Sequence, residues 1–137
     1  MNRIDFQQLA DLRIAEAAAL LALPMPDAAY YLAGYAIECA LKACIARLNQ
    51  QHDWPEKDFV RDCHTHNILN LVRLAGLDIA RSSDVEANPA LALNWNIVKD
   101  WNERSRYERH SLPKAEKMLL AVTDNENGVL PWIRVRW

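Results

Sequence analysis

The chain has 137 residues, of which 51% are hydrophobic and 25% are charged, and its formal net charge at pH 7 is −2. A chain of this length and composition forms one ordinary globular domain and buries a core without disulfides or metals. The near-neutral charge excludes a protein that is basic over its whole surface, so contacts with phosphate groups must come from a local patch. Alanine and leucine are abundant and glycine is scarce, which favours helices.

The cysteines and the hydropathy predict a cytoplasmic protein. Cys39 and Cys44 lie on one predicted helix at an offset that does not let them face each other, so a disulfide between them would distort that helix. They are expected to be small apolar core residues in a reducing compartment. The first residues are amphipathic and carry an acidic side chain early, unlike a signal peptide. The longest apolar run, 28–37, is too short to span a membrane.

The first two predicted helices are the most regular part of the pattern. Asp5 can cap the first helix, and Pro26 and Asp27 open the second, over roughly 28–48, because proline and acidic residues favour a first turn. The second helix is apolar on nearly every side, which is typical of a central helix packed by neighbours on several faces. Gly34 would let another backbone come close to it.

Shorter segments follow. The pattern predicts a polar loop over 50–57, a short helix from His66 or Asn67 to Gly76, and a polar and partly mobile stretch over 78–87. A helix from Asn88 to Trp101 and a charged segment over 102–111 are expected next. A long helix capped by Ser111 then ends or kinks at 127–128, and the tail over 129–137 is expected to add little to the core. These segments predict an all-α fold, a single-domain four- to five-helix up-and-down bundle over residues 1–137.

Chemically active side chains concentrate in residues 103–110, Glu-Arg-Ser-Arg-Tyr-Glu-Arg-His. Guanidinium groups bind phosphate oxygens, histidine transfers protons near neutral pH, and the helix N-terminus that follows adds a field favourable to an anion. Metal-free RNA cleavage needs such groups, with a base for the 2′-hydroxyl, an acid for the leaving oxygen and cations for the phosphate. The alternative is a solvated loop whose charges pair with one another and with Asp100.

Glu38 and Lys42 are spaced to pair along the surface of the second helix. Charges in so apolar a helix need partners. One interpretation is an ion pair at the edge of the bundle. The other is that Glu38 reaches Arg104 or Arg106 and keeps the charged segment in place.

Cys63, His64 and His66 bring three possible zinc ligands together. No second group of ligands follows, and the spacing matches no common zinc motif, so no metal is predicted. His66 is then expected at the start of the short helix. The isolated glycines form no phosphate-binding loop and no cysteine stands in a nucleophile motif, so no cofactor is predicted either. Four tryptophans are interpreted as core or interface anchors in preference to base-stacking residues: Trp95, Trp101, Trp132 and Trp137.

Several segments resemble the HEPN family (higher eukaryotes and prokaryotes nucleotide-binding domain). The alanine-rich stretch 28–43, which ends in Glu-x-x-Leu-Lys-Ala, is similar to the second helix of HEPN domains, and 66–71, His-Asn-Ile-Leu-Asn-Leu, is similar to the short helix that follows it. The segments 99–102, 106–107 and 128–133 are similar to the approach to the final helix and to its end. The resemblance covers nearly the whole chain and implies a helical bundle that commonly forms a homodimer.

The resemblance also implies a function on RNA. Many HEPN members are metal-independent ribonucleases with an Arg-x(4–6)-His motif near the start of the last long helix, and the motifs of two subunits meet in a cleft. Arg104 and His110 have this spacing. The implied site contains catalytic Arg104 and His110, the RNA-positioning residues Ser105, Arg106 and Tyr107, and the supporting residues Glu38 and Lys42.

Other HEPN members lack the motif and act as RNA-binding or partner subunits, often beside a minimal nucleotidyltransferase in toxin–antitoxin pairs. Ser105 stands where the motif usually has Asn, Asp or His, and Arg106-Tyr107 is similar to the Arg-Tyr of those members. Two functions therefore stay open: a ribonuclease of a toxin–antitoxin or defence system, or a catalytically inactive subunit that docks a partner through the tail with Trp132 and Trp137. A structural dimer without a nucleic-acid role is the third alternative.

Overall fold

A computed structural model describes residues 1–49 and 55–137 of the chain. Within those residues every regular element is helical, which confirms the all-α class. The α-helices are α1 (Arg3–Ala22), α2 (Pro26–Leu48), α3 (Lys57–Asp62), α4 (Ile68–Leu74), α5 (Asp78–Ala87), α6 (Pro89–Val98), α7 (Leu112–Thr123) and α8 (Val129–Arg134), and one 3-10 helix covers Glu103–Tyr107. None of the helices in these two ranges is long and apolar enough to cross a membrane.

Helices α1 and α2 form an antiparallel hairpin across a three-residue connection, 23–25. The N-cap of α1 is Asn2, whereas the sequence pattern predicts Asp5. The Asn2 side chain accepts a hydrogen bond from the backbone N–H of Asp5, and the Asp5 carboxylate accepts one from the backbone N–H of Asn2. This reciprocal pair is a capping box, in which the acidic residue occupies the third helical position. Pro26 is the first residue of α2, as predicted.

Helix α2 is the centre of the fold, as its apolarity predicts. It packs against α1, α4, α7, α8 and the 3-10 helix, and Ile37 and Leu41 on it are fully buried. The sequence pattern predicts that another backbone comes close to Gly34, but its close neighbour is the side chain of Trp101. A Cβ atom on Gly34 would lie 2.2 to 2.4 Å from three atoms of the Trp101 indole, so this glycine provides the space in which Trp101 is buried.

The helices after α2 correct three expectations. Residues 78–87, expected to be a polar and partly mobile stretch, form the helix α5, and the Arg81 guanidinium of this helix lies 4.9 Å from the centre of the Trp95 ring. Burial there lowers the pKa of Arg81. Helix α6 ends at Val98, before Trp101. Helix α3 begins at Lys57, where the pattern predicts the end of a loop, and residues 50–54 of that loop lie outside the described residues.

The boundaries of α4 follow the prediction closely. The Asn67 side chain caps its first turn by accepting a hydrogen bond from the backbone N–H of Asn70, at 2.9 Å. Gly76 follows its end with φ at +70°, a left-handed conformation that glycine adopts without strain. Local capping chemistry is therefore sufficient to define this short helix.

The C-terminal tail belongs to the core, so the expectation that it adds little is wrong. Val129, Leu130 and Ile133 of α8 are at most 1% exposed. The Trp132 indole N–H donates a hydrogen bond to the Asp84 carboxylate at 2.8 Å, and the Arg136 guanidinium lies 3.9 Å from the centre of the Trp132 ring. These contacts satisfy Trp132 within the chain and attach α8 to α5.

The two cysteines of α2 are buried and free, as expected of small core residues. Burial raises the pKa of Cys39 to about 12 and that of Cys44 to about 11. Both thiols are therefore protonated at neutral pH, and neither is available as a nucleophile or a metal ligand.

Candidate functional site

The charged segment between α6 and α7 is anchored at both of its ends. Trp101, which precedes it, is 2% exposed and lies against Gly34 of α2. The Asn102 side chain accepts a hydrogen bond from the backbone N–H of Arg104 at 2.9 Å and so caps the 3-10 helix. Ser111 caps α7 by accepting from the backbone N–H of Lys114 at 3.3 Å, as predicted. The side chains of the segment therefore project from a well-defined backbone.

Arg104, Arg106 and Tyr107 lie on the outer side of the 3-10 helix. Both arginines are exposed, and Tyr107 is 80% exposed with the Arg106 guanidinium 4.9 Å from its ring centre. Within the described ranges, no carboxylate oxygen lies within 4 Å of a guanidinium nitrogen of Arg104 or Arg106. Arg109 differs, since its Nε atom is 2.7 Å from the Asp27 carboxylate. Internal charge pairing therefore accounts for Arg109 but not for Arg104 and Arg106.

His110 and Ser105 are enclosed. The His110 side chain has no exposed surface, its ring is stacked on Tyr30 with centroids 3.9 Å apart, and its backbone N–H donates to the Asp27 carboxylate at 2.5 Å. Its Nε2 atom is 3.2 Å from the backbone carbonyl oxygen of Ser105, to which an Nε2–H tautomer donates. Its Nδ1 atom is buried and has no partner among the described residues. Burial, followed by the charges of Glu108 and Asp100, raises the pKa of the neighbouring Tyr30.

The sequence motif is therefore divided between two environments. Arg104 lies at a surface pocket, whereas the imidazole of His110 is enclosed between Tyr30 and the backbone of Ser105. Ser105 is itself only 4% exposed. Ser105 therefore does not share the exposed side of the 3-10 helix with Arg104, Arg106 and Tyr107, and its role in positioning RNA stays a prediction.

Glu38 has partners that the sequence pattern predicts only in part. It is 2% exposed, and one of its carboxylate oxygens accepts a hydrogen bond from Lys42 Nζ at 2.8 Å, which is the predicted ion pair. Both of its oxygens lie 3.0 Å from Nδ1 of His66. In the described part of the chain neither Arg104 nor Arg106 bonds to Glu38, so the expected contact with an arginine is replaced by one with His66. A buried carboxylate needs such partners.

His66 and Arg104 line the same surface pocket, although they are far apart in the sequence. The pocket has a volume of about 350 Å³ and is lined by Thr65, His66, Asn67, Asn102, Glu103 and Arg104; we call it the Arg104 pocket. Its two sides meet because α4 and the 3-10 helix both pack against α2. The sequence pattern treats His66 only as a helix-start residue. The signal that could have found it is the buried Glu38, which requires a second partner beside Lys42.

The possible zinc ligands of the sequence do not assemble. Among residues 1–49 and 55–137, no three His, Cys, Asp or Glu side chains lie close enough together to bind a metal ion. His66 directs Nδ1 to Glu38, and the partly buried Cys63 has its pKa raised, first by burial and then by the charge of Asp62. A thiol of this kind is a poor metal ligand at neutral pH.

Comparison of the chain with models of protein families, with curated proteins and with solved structures finds no match. Two of the segments on which the resemblance rests, 28–43 and 66–71, are in contact, because Glu38 and Lys42 of the first and His66 of the second form one hydrogen-bonded cluster.

Proposed function

We propose that the chain is a HEPN-type protein that acts on RNA, and that it binds single-stranded RNA through the exposed side of the 3-10 helix. The observation that carries the proposal is the pairing of two exposed arginines, Arg104 and Arg106, with the exposed ring of Tyr107. Guanidinium groups without carboxylate partners bind phosphate oxygens, and an exposed aromatic ring stacks on an unpaired base. Because the net charge is −2, contact with phosphate groups has to come from a local patch such as this one.

His110 has a structural role in this proposal. A histidine without exposed surface, bonded to a backbone carbonyl and stacked on Tyr30, supports the path of the chain between the 3-10 helix and α7. A phosphate group at Arg104 does not reach its ring unless this packing opens. The enclosed His110 therefore argues against a role in proton transfer for the histidine of the sequence motif.

Fluorescence anisotropy with a labelled single-stranded RNA tests the proposal. The RNA carries 2′-O-methyl groups so that binding is measured without cleavage. We expect Arg104→Ala to weaken binding several-fold and to reduce the salt dependence by about 0.7 in the slope of log K against log[salt], since one phosphate contact on a single strand is lost.

Arg61→Ala is the matched control. It makes the same change in net charge, but Arg61 is already close to two carboxylates, at 3.1 Å from Asp58 and 3.7 Å from Asp62. We expect this variant to bind RNA as the parent does. Equal loss of affinity in both variants, or an absence of RNA binding by the parent protein, contradicts the proposal.

The enclosed His110 also favours a second candidate, a catalytically inactive subunit that binds a minimal nucleotidyltransferase in a toxin–antitoxin pair. Trp132 and Trp137 of the tail are only partly buried, so the tail stays the proposed docking surface of this candidate, although the Trp132 indole N–H already donates to Asp84 within the chain. Co-purification with the product of the adjacent gene tests this candidate. The homodimer that the resemblance implies is tested by sedimentation of the purified protein.

A further inference from the structure

The Arg104 pocket contains a histidine that is not part of the Arg-x5-His spacing. The His66 side chain is 46% exposed, and its Nδ1 atom lies 3.0 Å from both oxygens of Glu38, which is 2% exposed. An ionised carboxylate only accepts hydrogen bonds, so Nδ1 donates and carries the proton. In this tautomer Nε2 has the free lone pair and is the ring nitrogen left for a bound molecule.

This arrangement has the parts of an oriented general base. A buried carboxylate that accepts from one nitrogen of an imidazole fixes the tautomer and the ring orientation, and it stabilises the cation that forms when the other nitrogen takes a proton. Lys42 Nζ, at 2.8 Å, balances the charge of Glu38 within α2. Arg104 lines the same pocket and supplies a cation for a phosphate group.

We propose that Glu38, His66 and Arg104 form an RNA-cleaving site, in which His66 is the general base, Arg104 binds the phosphate that is cleaved, and Glu38 is a positioning residue. The proposal rests on the RNA-binding function proposed above and adds to it a reaction and a base. It replaces His110, whose ring is enclosed, with a histidine that is open to solvent.

The reaction is a transesterification within the RNA. His66 Nε2 takes the proton of the 2′-hydroxyl, and the 2′-oxygen forms a bond to the phosphorus atom. The P–O5′ bond breaks, and the 5′-oxygen leaves with its electron pair and takes a proton from a water molecule. The resulting hydroxide takes the proton from His66, so the base is restored and no co-reactant is consumed. The products are a 2′,3′-cyclic phosphate and a 5′-hydroxyl end.

Glu103 is the one acidic side chain that lines the Arg104 pocket. Its carboxylate directly precedes Arg104 in the sequence and repels a phosphate group. The cations His66 and Arg104 outnumber it only when His66 is protonated, which is the state that forms as the 2′-oxygen attacks. The pocket charge therefore becomes more favourable to the phosphate in the transition state than in the ground state.

The test is cleavage of unmodified single-stranded RNA in the presence of a metal chelator, with detection of the cyclic phosphate end. We expect His66→Ala to lower kcat by about 100-fold or more, the usual contribution of a positioned acid or base. Its affinity for the 2′-O-methyl RNA should stay within about threefold, because Arg104 remains. His64→Ala is the matched control, since His64 is exposed nearby and does not line the Arg104 pocket; its kcat should be that of the parent.

Glu38→Gln separates positioning from folding. The amide oxygen still accepts a hydrogen bond from Nδ1, but the charge that stabilises the imidazolium is lost. We expect a lower kcat with an unchanged KM in a variant whose circular dichroism is that of the parent, and a purely structural role would not produce this split. Should Glu38→Gln not fold, the comparison of His66→Ala with His64→Ala decides the matter.

The outcomes distinguish the two proposals. If the parent protein binds RNA and does not cleave it, or if His66→Ala cleaves as fast as His64→Ala, the cleavage site is refuted and RNA binding stands. If the parent protein does not bind RNA, both proposals are refuted.

Discussion

Gly34 is the position where one added methyl group should disturb the core most. In a Gly34→Ala variant the new Cβ atom would lie 2.2 to 2.4 Å from three atoms of the Trp101 indole, whereas optimal carbon contacts lie at about 3.5–4.0 Å. Trp101 is 2% exposed, so its ring has to move by more than about 1 Å within a close-packed interior. The backbone of α2 cannot retreat, because other helices pack against it on several faces.

Two opposing terms determine the size of the effect. Alanine is more favourable than glycine in a helix interior by about 1 kcal/mol. Overpacking of a core costs about 1–3 kcal/mol and occasionally more. The overlap here involves several atoms of a rigid ring, so the upper part of that range applies. We therefore expect the free energy of unfolding to fall by about 2 kcal/mol in Gly34→Ala.

Urea unfolding followed by circular dichroism measures this change, and a double variant identifies its cause. In a Trp101→Phe background the smaller ring leaves room for the new methyl group, so Gly34→Ala should cost at least about 1 kcal/mol less there than in the parent. An unchanged or higher free energy of unfolding in Gly34→Ala would refute the reasoning. So would an equal cost in both backgrounds, because the contact with the Trp101 indole would then not be its source.

Two further predictions concern groups that the fold encloses. His110→Ala should lower the free energy of unfolding by about 2 kcal/mol, because the stack on Tyr30 and the hydrogen bond to a backbone carbonyl are lost. Its affinity for 2′-O-methyl RNA, measured by anisotropy, should stay within about threefold of that of the parent. A loss of affinity at unchanged stability would contradict this prediction. Alkylation of the native protein at neutral pH, read by mass spectrometry, should label Cys63 before Cys39 and Cys44, and equal rates at all three would contradict their burial.

The raised pKa values of the buried thiols also predict a loss of stability in alkaline solution. Burial raises the pKa of Cys39 from its ordinary value of 9.0 to about 12 in the folded chain. Below pH 9 the thiol is protonated in both states, and its contribution to stability is fully present. As the pH rises from 9 toward 12, the unfolded chain loses the proton first, so the free energy of unfolding falls. Cys39→Ala should lessen this alkaline loss in urea titrations, and an unchanged loss would contradict the assignment.

Local signals in the sequence predict the parts of the fold that local chemistry decides. Pro26 opens α2, Asn67 caps α4 and Gly76 follows its end, because each acts on neighbours within a turn of the chain. Residues 78–87 were harder to predict, since only a narrow side of α5 packs against the core. The polar composition of this segment is typical of a loop. In the fold, however, the aliphatic part and the guanidinium of Arg81 cover Trp95.

The candidate site could be predicted only in part, because its geometry depends on long-range packing. The Glu38–Lys42 pair follows from spacing along one helix, whereas the contact of Glu38 with His66 joins residues 28 positions apart. The spacing of Arg104 and His110 satisfies a motif, but spacing does not state which side of a turn faces solvent. The stack of His110 on Tyr30 is a tertiary contact that no local pattern contains.

The most direct test of the central claim, that RNA binds at the exposed side of the 3-10 helix and reaches the Arg104 pocket beside it, is a titration of the isotope-labelled protein with 2′-O-methyl RNA, followed by the NMR signals of the imidazole rings. We expect the ring signals of His66 to move as RNA is added and those of His110 to stay in place. Signals of His110 that move while those of His66 do not would contradict the account.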